Sequence, residues 1–357
     1  MTKNAQTIAD LMDRHVLYQK SVQNPESEIE FITKTFNKLK GRDAKSIRED
    51  FAGTALFAVE WCKQGDDYTA VAVDLDTETL EWGRKNNVKP AGSTMESQVE
   101  LINENVLDYE DTSKKVDTAC AFNFSYNILR RREELVSYFE NVREGLVDDG
   151  VFFLDVLGGT EAYQEALDEP REVEDEDFEY IWEQAKFNPI THEMVCYIHF
   201  QFKDGSKMEK AFTYEWRLRT IPEIVESLYE AGFSKVRCYW DEFNAEQSQE
   251  DDEAYTDVDI ESISDIGYKT LRLYQDGSLK FDIKKSDEVV NVEDYIEIDI
   301  DAKNEEGISN MRLYESGRVE FSEGEEEEEE LDTTGEYIEV NEVENQDTFV
   351  SYIVAEK

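Results

Sequence analysis

The chain carries three histidines, four cysteines and five prolines among 357 residues, and its 37 Lys and Arg stand against 85 Asp and Glu. Each shortage excludes something. Cys62, Cys120, Cys196 and Cys238 lie far apart without paired spacing, which argues against a disulfide framework and reads as buried thiols in a reducing compartment. No metal-ligand cluster is visible, so no metal is expected. No run approaches about 18 apolar residues and Met1 to Gln6 hold no apolar signal core, so neither a membrane segment nor a membrane partner is expected and the protein reads as cytoplasmic. The scarcity of positive charge opposes nucleic-acid binding, because phosphates would be repelled. Hydrophobic residues at 39% still suffice for a real core in one enlarged domain or two.

What is present begins at Ile47. The residues read as strand, turn (Glu49-Asp50-Phe51-Ala52-Gly53-Thr54-Ala55), helix from Leu56, strand 69–73, and then Asp74-Leu75-Asp76. In open parallel sheets a ligand sits beyond the carboxyl ends of the strands, with glycine-turn N–H groups facing it and an acid roughly 20 residues on bonding ribose hydroxyls. Glu49, Gly53 and Asp74 fit those roles. The turn is short of glycine, however, with Phe51 and Ala55 at two places where a dinucleotide fingerprint has it. That disfavours a nicotinamide-dependent oxidoreductase, whose pyrophosphate needs close backbone approach. A competing reading makes Asp74 and Asp76 simple helix-start residues.

Four ordered strings add specificity: Arg-Glu-Asp-Phe-x-Gly-Thr at 48–54, Val-Asp-Leu-Asp at 73–76, Ala-Phe-Asn-Phe-Ser at 121–125 and Phe-Thr-Tyr-x-Trp-Arg at 212–217. With them the chain, from Asp13 to about Tyr239 and again over 349–356, resembles a class I S-adenosylmethionine-dependent methyltransferase. The resemblance implies an α/β fold: a doubly wound, Rossmann-like, seven-stranded sheet whose last strand is antiparallel and slots between its neighbours. Strand-like runs at 46–49, 70–74, 99–103, 118–123, 151–156, 235–240 and 349–355, separated by helical segments such as 77–86 and 131–145, argue for a doubly wound sheet independently. The implied cofactor is S-adenosyl-L-methionine. Glu49 and Gly53 would border its methionine end, Asp74 its ribose, and Asn105 its adenine amino group. Phe51, Leu75, Val106, Asn123 and Phe124 would complete the contacts, with Asn123 and Tyr126 where methyl meets substrate. Phe124, Tyr126 and Trp82 could equally be plain core.

After Asp155 come three strand-like runs (180–187, 190–203, 207–217), the last two joined by Asp204-Gly205, a hairpin signal. This β-meander reads as a substrate cap, and His192, His199, Tyr214, Trp216 and Arg217 are its candidate pocket residues. Of these His192 and Arg217 join the catalytic candidates. His192 and His199 have odd separation, so in one regular strand they point to opposite faces. The expected layout is an N-terminal helical segment (1–45), a core (46–157, 218–243, 348–357), the cap (158–217) and an acidic β-rich insertion (244–347).

That insertion is where the charge lies, since residues 241–350 hold 37 acids and 8 Lys and Arg. It contains a duplication at a period of 40: Leu271-Arg272-Leu273-Tyr274 recurs as Met311-Arg312-Leu313-Tyr314, each followed by a Gly turn and a second strand-like run. Both copies read as β-hairpins, with 295–298 and 337–340 as further strands of the repeat and 246–259 and 325–330 as disordered flanks. Its place between the sixth and seventh strands leaves open a lid, a homodimer contact or a basic partner. Two functions follow: a methyltransferase acting on a small-molecule acceptor, or a methyltransferase-fold binding protein whose acidic module recruits a basic partner.

Overall fold

The computed structural model describes residues 6–109, 114–168, 170–174, 176–241, 337–343 and 345–357, together with six strands between 255 and 323. Three helices lead. α1 (Ile8–Leu11) is capped by Thr7 and α2 (Arg14–Ser21) by the Asp13 carboxylate. α3 (Pro25–Lys40) starts at Asn24 with Pro25 in its first turn and stops at Gly41, which takes the left-handed φ of +67° that favours glycine. There follow β1 (Ser46–Asp50), α4 (Leu56–Cys62), β2 (Thr69–Asp74), α5 (Thr77–Gly83, running into a π turn at Arg84–Val88), α6 (Ser93–Gln98), β3 (Val99–Asn103), β4 (Val116–Ala121), α7 (Arg132–Gly145) and β5 (Leu146–Gly158). The cap supplies β6 (Ala166–Leu167), β7 (Arg171–Glu172), β8 (Phe178–Phe187), β9 (Glu193–Phe202) and β10 (Lys207–Arg217). α8 (Ile221–Glu230) and β11 (Lys235–Asp241) return the chain to the core. Beyond lie β12 (Tyr255–Asp259), β13 (Thr270–Tyr274), β14 (Leu279–Asp282), β15 (Tyr295–Asp299), β16 (Ile308–Tyr314), β17 (Val319–Glu323), β18 (Tyr337–Val340) and β19 (Phe349–Glu356).

The main sheet has the order β18-β11-β19-β5-β4-β1-β2-β3. β1 to β5 are parallel, while β19 runs antiparallel between β5 and β11, as expected for the last strand. One face packs on α3 and α4 through Phe31, Phe36 and Trp61, the other on α7 and α8 through Tyr138, Phe139 and Leu228. The sheet has eight strands where seven were expected. The extra one, β18, was placed by sequence inside the acidic repeat, but it pairs with β11 because Tyr337 packs its ring against Phe31 and Tyr352 at 5.3 and 4.7 Å.

The cap forms a second antiparallel sheet, and Gly205, at φ +79°, makes the hairpin turn between β9 and β10. α2 ties cap to core: its Leu17 is buried among Phe178, Ile198 and Phe200, and its Gln19 donates to Thr54 Oγ1 at 2.7 Å.

The chain forms two compact units, Met1–Ala245 with Glu336–Lys357, and Glu246–Gly335. In the second, hairpins β13–β14 and β16–β17 are the two copies of the repeat. β15, read from sequence as the further strand of the first copy, completes the first hairpin, whereas the second is completed by β12 and not by 337–340. β12 occupies 255–259, part of a stretch read as disordered from its acidity; the remainder of that flank and 325–330 lie outside the described residues.

Candidate active site

The turn after β1 explains how the chain manages with one glycine. Phe51, Gly53 and Ala55 all take left-handed φ, at +57°, +53° and +54°. Phe51 and Ala55 thus adopt the conformation their glycine counterparts would supply, at a cost of about 1–2 kcal/mol each. Burial and packing hold them there: Ala55 is fully buried and Phe51 sits edge-on to Tyr138 at 5.5 Å. The missing glycines therefore alter the strain of the turn and leave its path intact.

Asp74 and Asp76 divide two tasks. Asp76 caps α5, accepting from Glu78 and Thr79 N–H. Asp74 accepts from Gly53 N–H at 2.7 Å and Asp76 N–H at 2.8 Å, so it holds the turn as well as facing the cavity. Each carboxylate oxygen retains a lone pair for a ligand hydroxyl. Gly53 N–H is consequently directed at Asp74, not outward as read from sequence, and Ala52 and Ala55 N–H are also used internally. Leu75 is 68% exposed on the rim of the same cavity, an apolar surface of the sort a purine covers. Asn105 and Val106 line it too, with Asn105 Oδ1 accepting from Leu107 N–H at 3.0 Å.

At the end of β4, Asn123 and Phe124 both have φ +56°. Asp155, at the end of β5, fixes this pair by accepting from Asn123 N–H at 2.6 Å and Phe124 N–H at 2.9 Å. Burial pushes the Asp155 carboxyl up to about 7 despite those two bonds. Sequence reasoning passed over Asp155; its only signal is an acid closing a run of buried residues at a carboxyl strand end.

The cavity above these strand ends is about 610 Å³ and takes in Glu49, Phe51, Gly53, Asp74, Leu75, Asn105, Val106 and Asn123. It also takes in His15, Tyr18 and Glu28 from α2 and α3 and Gln23 from the connection between them, where no motif pointed. Gln23 Oε1 is buried without a partner, and the Glu28 carboxylate accepts no hydrogen bond among the described residues. Burial raises Glu28 well above the usual carboxyl range, with the charges of Asp155 and Glu49 adding to it. Glu49 rises to about 8, chiefly by burial, although Ala58 N–H at 3.1 Å stabilises its charge. Asp74 is also raised, burial outweighing its two backbone bonds. An orphan carbonyl oxygen and three crowded carboxyls suit a ligand that brings positive charge, and S-adenosylmethionine, with its ammonium and sulfonium, has that chemistry.

A second cavity of about 410 Å³ lies under the cap, and Tyr18, Asn123, Tyr214 and Trp216 line both. Phe124, expected against the cofactor, faces this second cavity instead, because its left-handed backbone turns the ring toward Trp216 at 6.3 Å. Three catalytic candidates line neither cavity. Tyr126 is 1% exposed and donates to the Asp155 carbonyl at 2.8 Å, a core role. His192 lies in the turn before β9, between Tyr163 and Phe187. Arg217 donates to the Arg130 carbonyl at 3.1 Å and pairs with Glu223 at 3.5 Å, tying the end of β10 to α8. His199 is buried against Glu183 Oε2 at 2.8 Å. Among the described residues no group of three or more His, Cys, Asp or Glu is placed to hold a metal, and no helix is long and apolar enough to cross a membrane.

No protein-family model matches the chain. It is 24% identical over 231 residues to a Geobacillus sp. (strain WCH70) protein provisionally named a methyltransferase, a match spanning 61% of this chain and 87% of that one. An S-adenosylmethionine-dependent methyltransferase from Clostridium acetobutylicum superposes with a TM-score of 0.50 at 17% identity, covering 62% of this chain and 88% of its own. DesVI of Streptomyces venezuelae gives 0.51 at 14%, covering 64% and 90%. The amino pentose methyltransferase CalS10 of Micromonospora echinaspora, with S-adenosylmethionine bound, gives 0.50 at 12%, covering 68% and 94%. In fold the chain is similar to S-adenosylmethionine-dependent methyltransferases, and in sequence to one relative named as a methyltransferase.

Proposed function

We propose that the protein transfers the methyl group of S-adenosylmethionine to a small molecule held in the cavity beneath the cap. The observation that carries this is the meeting of two cavities at Tyr18, Asn123, Tyr214 and Trp216. The larger has acids, an exposed apolar rim and an orphan carbonyl suited to the cofactor, and the smaller falls within the usual size of a small-molecule pocket. One of the relatives above is named for an amino pentose, an acceptor of that size.

When bound, the cofactor supplies an already activated methyl group. The chain's own work is positional. Asp155 holds Asn123 at the junction, Asp74 and Leu75 set the nucleoside end, and Glu49, Gln23 and Glu28 hold the cationic end. The rings of Tyr18, Tyr214 and Trp216 exclude water from the passage.

The raised carboxyls give the reading a pH test. In the free protein Glu49, at about 8, is largely protonated near neutrality. A sulfonium beside these carboxyls favours their ionised forms, so binding releases protons and affinity rises with pH until Glu49 has ionised unaided. S-adenosylmethionine and S-adenosylhomocysteine share one ammonium and differ in the sulfonium charge, so the ratio of their affinities isolates the effect. In calorimetric titrations both bind and NAD does not, and the preference for the sulfonium form grows by about threefold or more between about pH 6 and about pH 8.5. A pH-independent ratio removes the carboxyls from the cationic end, and failure to bind either ligand overturns the methyltransferase reading.

A further inference from the structure

We infer that the cavity under the cap recognises its acceptor through a positively charged nitrogen, so that the substrate class is a small molecule bearing a cationic amine; the methyl goes to a different, neutral atom of that molecule, because a protonated nitrogen has no free electron pair, and the inference rests on the proposed methyl transfer. The first observation is the wall. Trp182 stands 6.0 Å from both Tyr214 and Trp216, which are themselves 4.5 Å apart, and Tyr18 and Tyr180 extend the aromatic surface. A cation over such faces is attracted by the negative ring quadrupoles, most strongly where water is excluded.

The second observation is the balance of charge. Among the described residues lining this cavity the acids are Glu161 and Asp168 and the one basic group is Arg171. Arg171 lies at the edge of the cavity with its guanidinium 3.9 Å from Asp168 and 5.0 Å above the Tyr180 ring. The chain thus already uses one of these rings to receive a cation, and the remaining charge in the cavity is the carboxylate of Glu161, which accepts only a long bond from Thr348 at 3.4 Å. A carboxylate or phosphate acceptor would meet one cation, Arg171, already beside Asp168, and a second carboxylate at Glu161 to repel it. A neutral one would leave the ring faces and Glu161 without a role.

Three probes of nearly one shape separate the cases: choline, 3,3-dimethylbutan-1-ol and 3,3-dimethylbutanoate, which are cationic, neutral and anionic. They are titrated by ligand-detected NMR against the full-length protein saturated with S-adenosylhomocysteine. Choline binds about tenfold or more tightly than the alcohol, and the carboxylate least. Trp182→Leu removes that preference. Glu161→Gln, an exposed change that does not endanger folding, lowers choline affinity about threefold and leaves the alcohol unchanged. Equal binding of choline and the alcohol, tighter binding of the carboxylate, or no binding of choline overturns the inference. Saturation by S-adenosylhomocysteine is recorded beforehand, so loss of the cofactor reading is seen separately from loss of the acceptor class.

Discussion

Asp155→Ala lowers the unfolding free energy by about 2–3 kcal/mol, because two half-buried N–H groups lose their shared carboxyl acceptor together. The effect exceeds that of an ordinary lost hydrogen bond for a second reason. Asn123 and Phe124 are successive left-handed residues without glycine's freedom, and the two bonds to Asp155 keep them so. Once released, the pair relaxes and Asn123 leaves the junction of the two cavities. Asp155→Asn keeps the shape but presents an amide N–H₂ to one of the two donors, so it recovers only part of the loss. Denaturant unfolding of the three proteins measures the stability terms, and the amide resonances of Asn123 and Phe124 report the turn. If Asp155→Ala is as stable as the parent and those resonances do not move, the carboxylate does not hold the turn.

Gly83→Ala weakens cofactor binding by about tenfold or more from a position that lines neither cavity. A Cβ at Gly83 would stand 2.1 Å from Thr54 O, 2.6 Å from its carbonyl carbon and 2.9 Å from its Cα. These are backbone atoms, so no rotamer change relieves the contact, and α5 or the turn must move by about 1 Å. Thr54 is also held by Asn87 Nδ2 on its carbonyl and Gln19 Nε2 on its hydroxyl, each within 2.8 Å. The displacement therefore passes to Gly53 and the left-handed turn beside it. Stability falls by about 2–3 kcal/mol and affinity for S-adenosylhomocysteine by tenfold or more. Gly41→Ala is the contrast. It also has positive φ but nothing within 4 Å, so it costs about 1 kcal/mol and leaves binding untouched. Unchanged binding by Gly83→Ala would show that α5 can yield without moving the turn.

The sheet was legible because strands buried on both faces, such as Ala119-Cys120-Ala121 and Phe152-Phe153-Leu154, leave unbroken apolar runs in the sequence. Both repeat hairpins were legible from their glycine turns. The partner of the first, 295–298, was legible as the strand that follows it, but that of the second was not: 255–259 and 337–340 share a Tyr-led alternating pattern, and pattern alone does not choose among equivalent edges. Tyr337 found its place through rings on α3 and β19, contacts without local trace.

The site divided in the same way. Glu49, Gly53, Asp74 and Asn123 were readable because topology fixes what lies at carboxyl strand ends. Tyr214 and Trp216 were readable as one face of β10, sharing parity with Phe212. Tyr126, His192 and Arg217 were chosen for their chemistry, and tertiary packing directed them elsewhere. Glu28 could not be chosen, because on an amphipathic helix a solvated acid and a cavity-facing one have the same local sequence, and Gln23 sits in the short connection before that helix with no motif to mark it.

The most direct measurement is a crystal structure of the full chain with S-adenosylhomocysteine. The thioether sulfur should lie at the passage bounded by Tyr18, Asn123, Tyr214 and Trp216, the ribose hydroxyls on Asp74 and the purine against Leu75. A ligand bound in the reverse sense, with its sulfur away from that passage, or one bound outside the larger cavity, would contradict the proposal that the two cavities meet to transfer a methyl group.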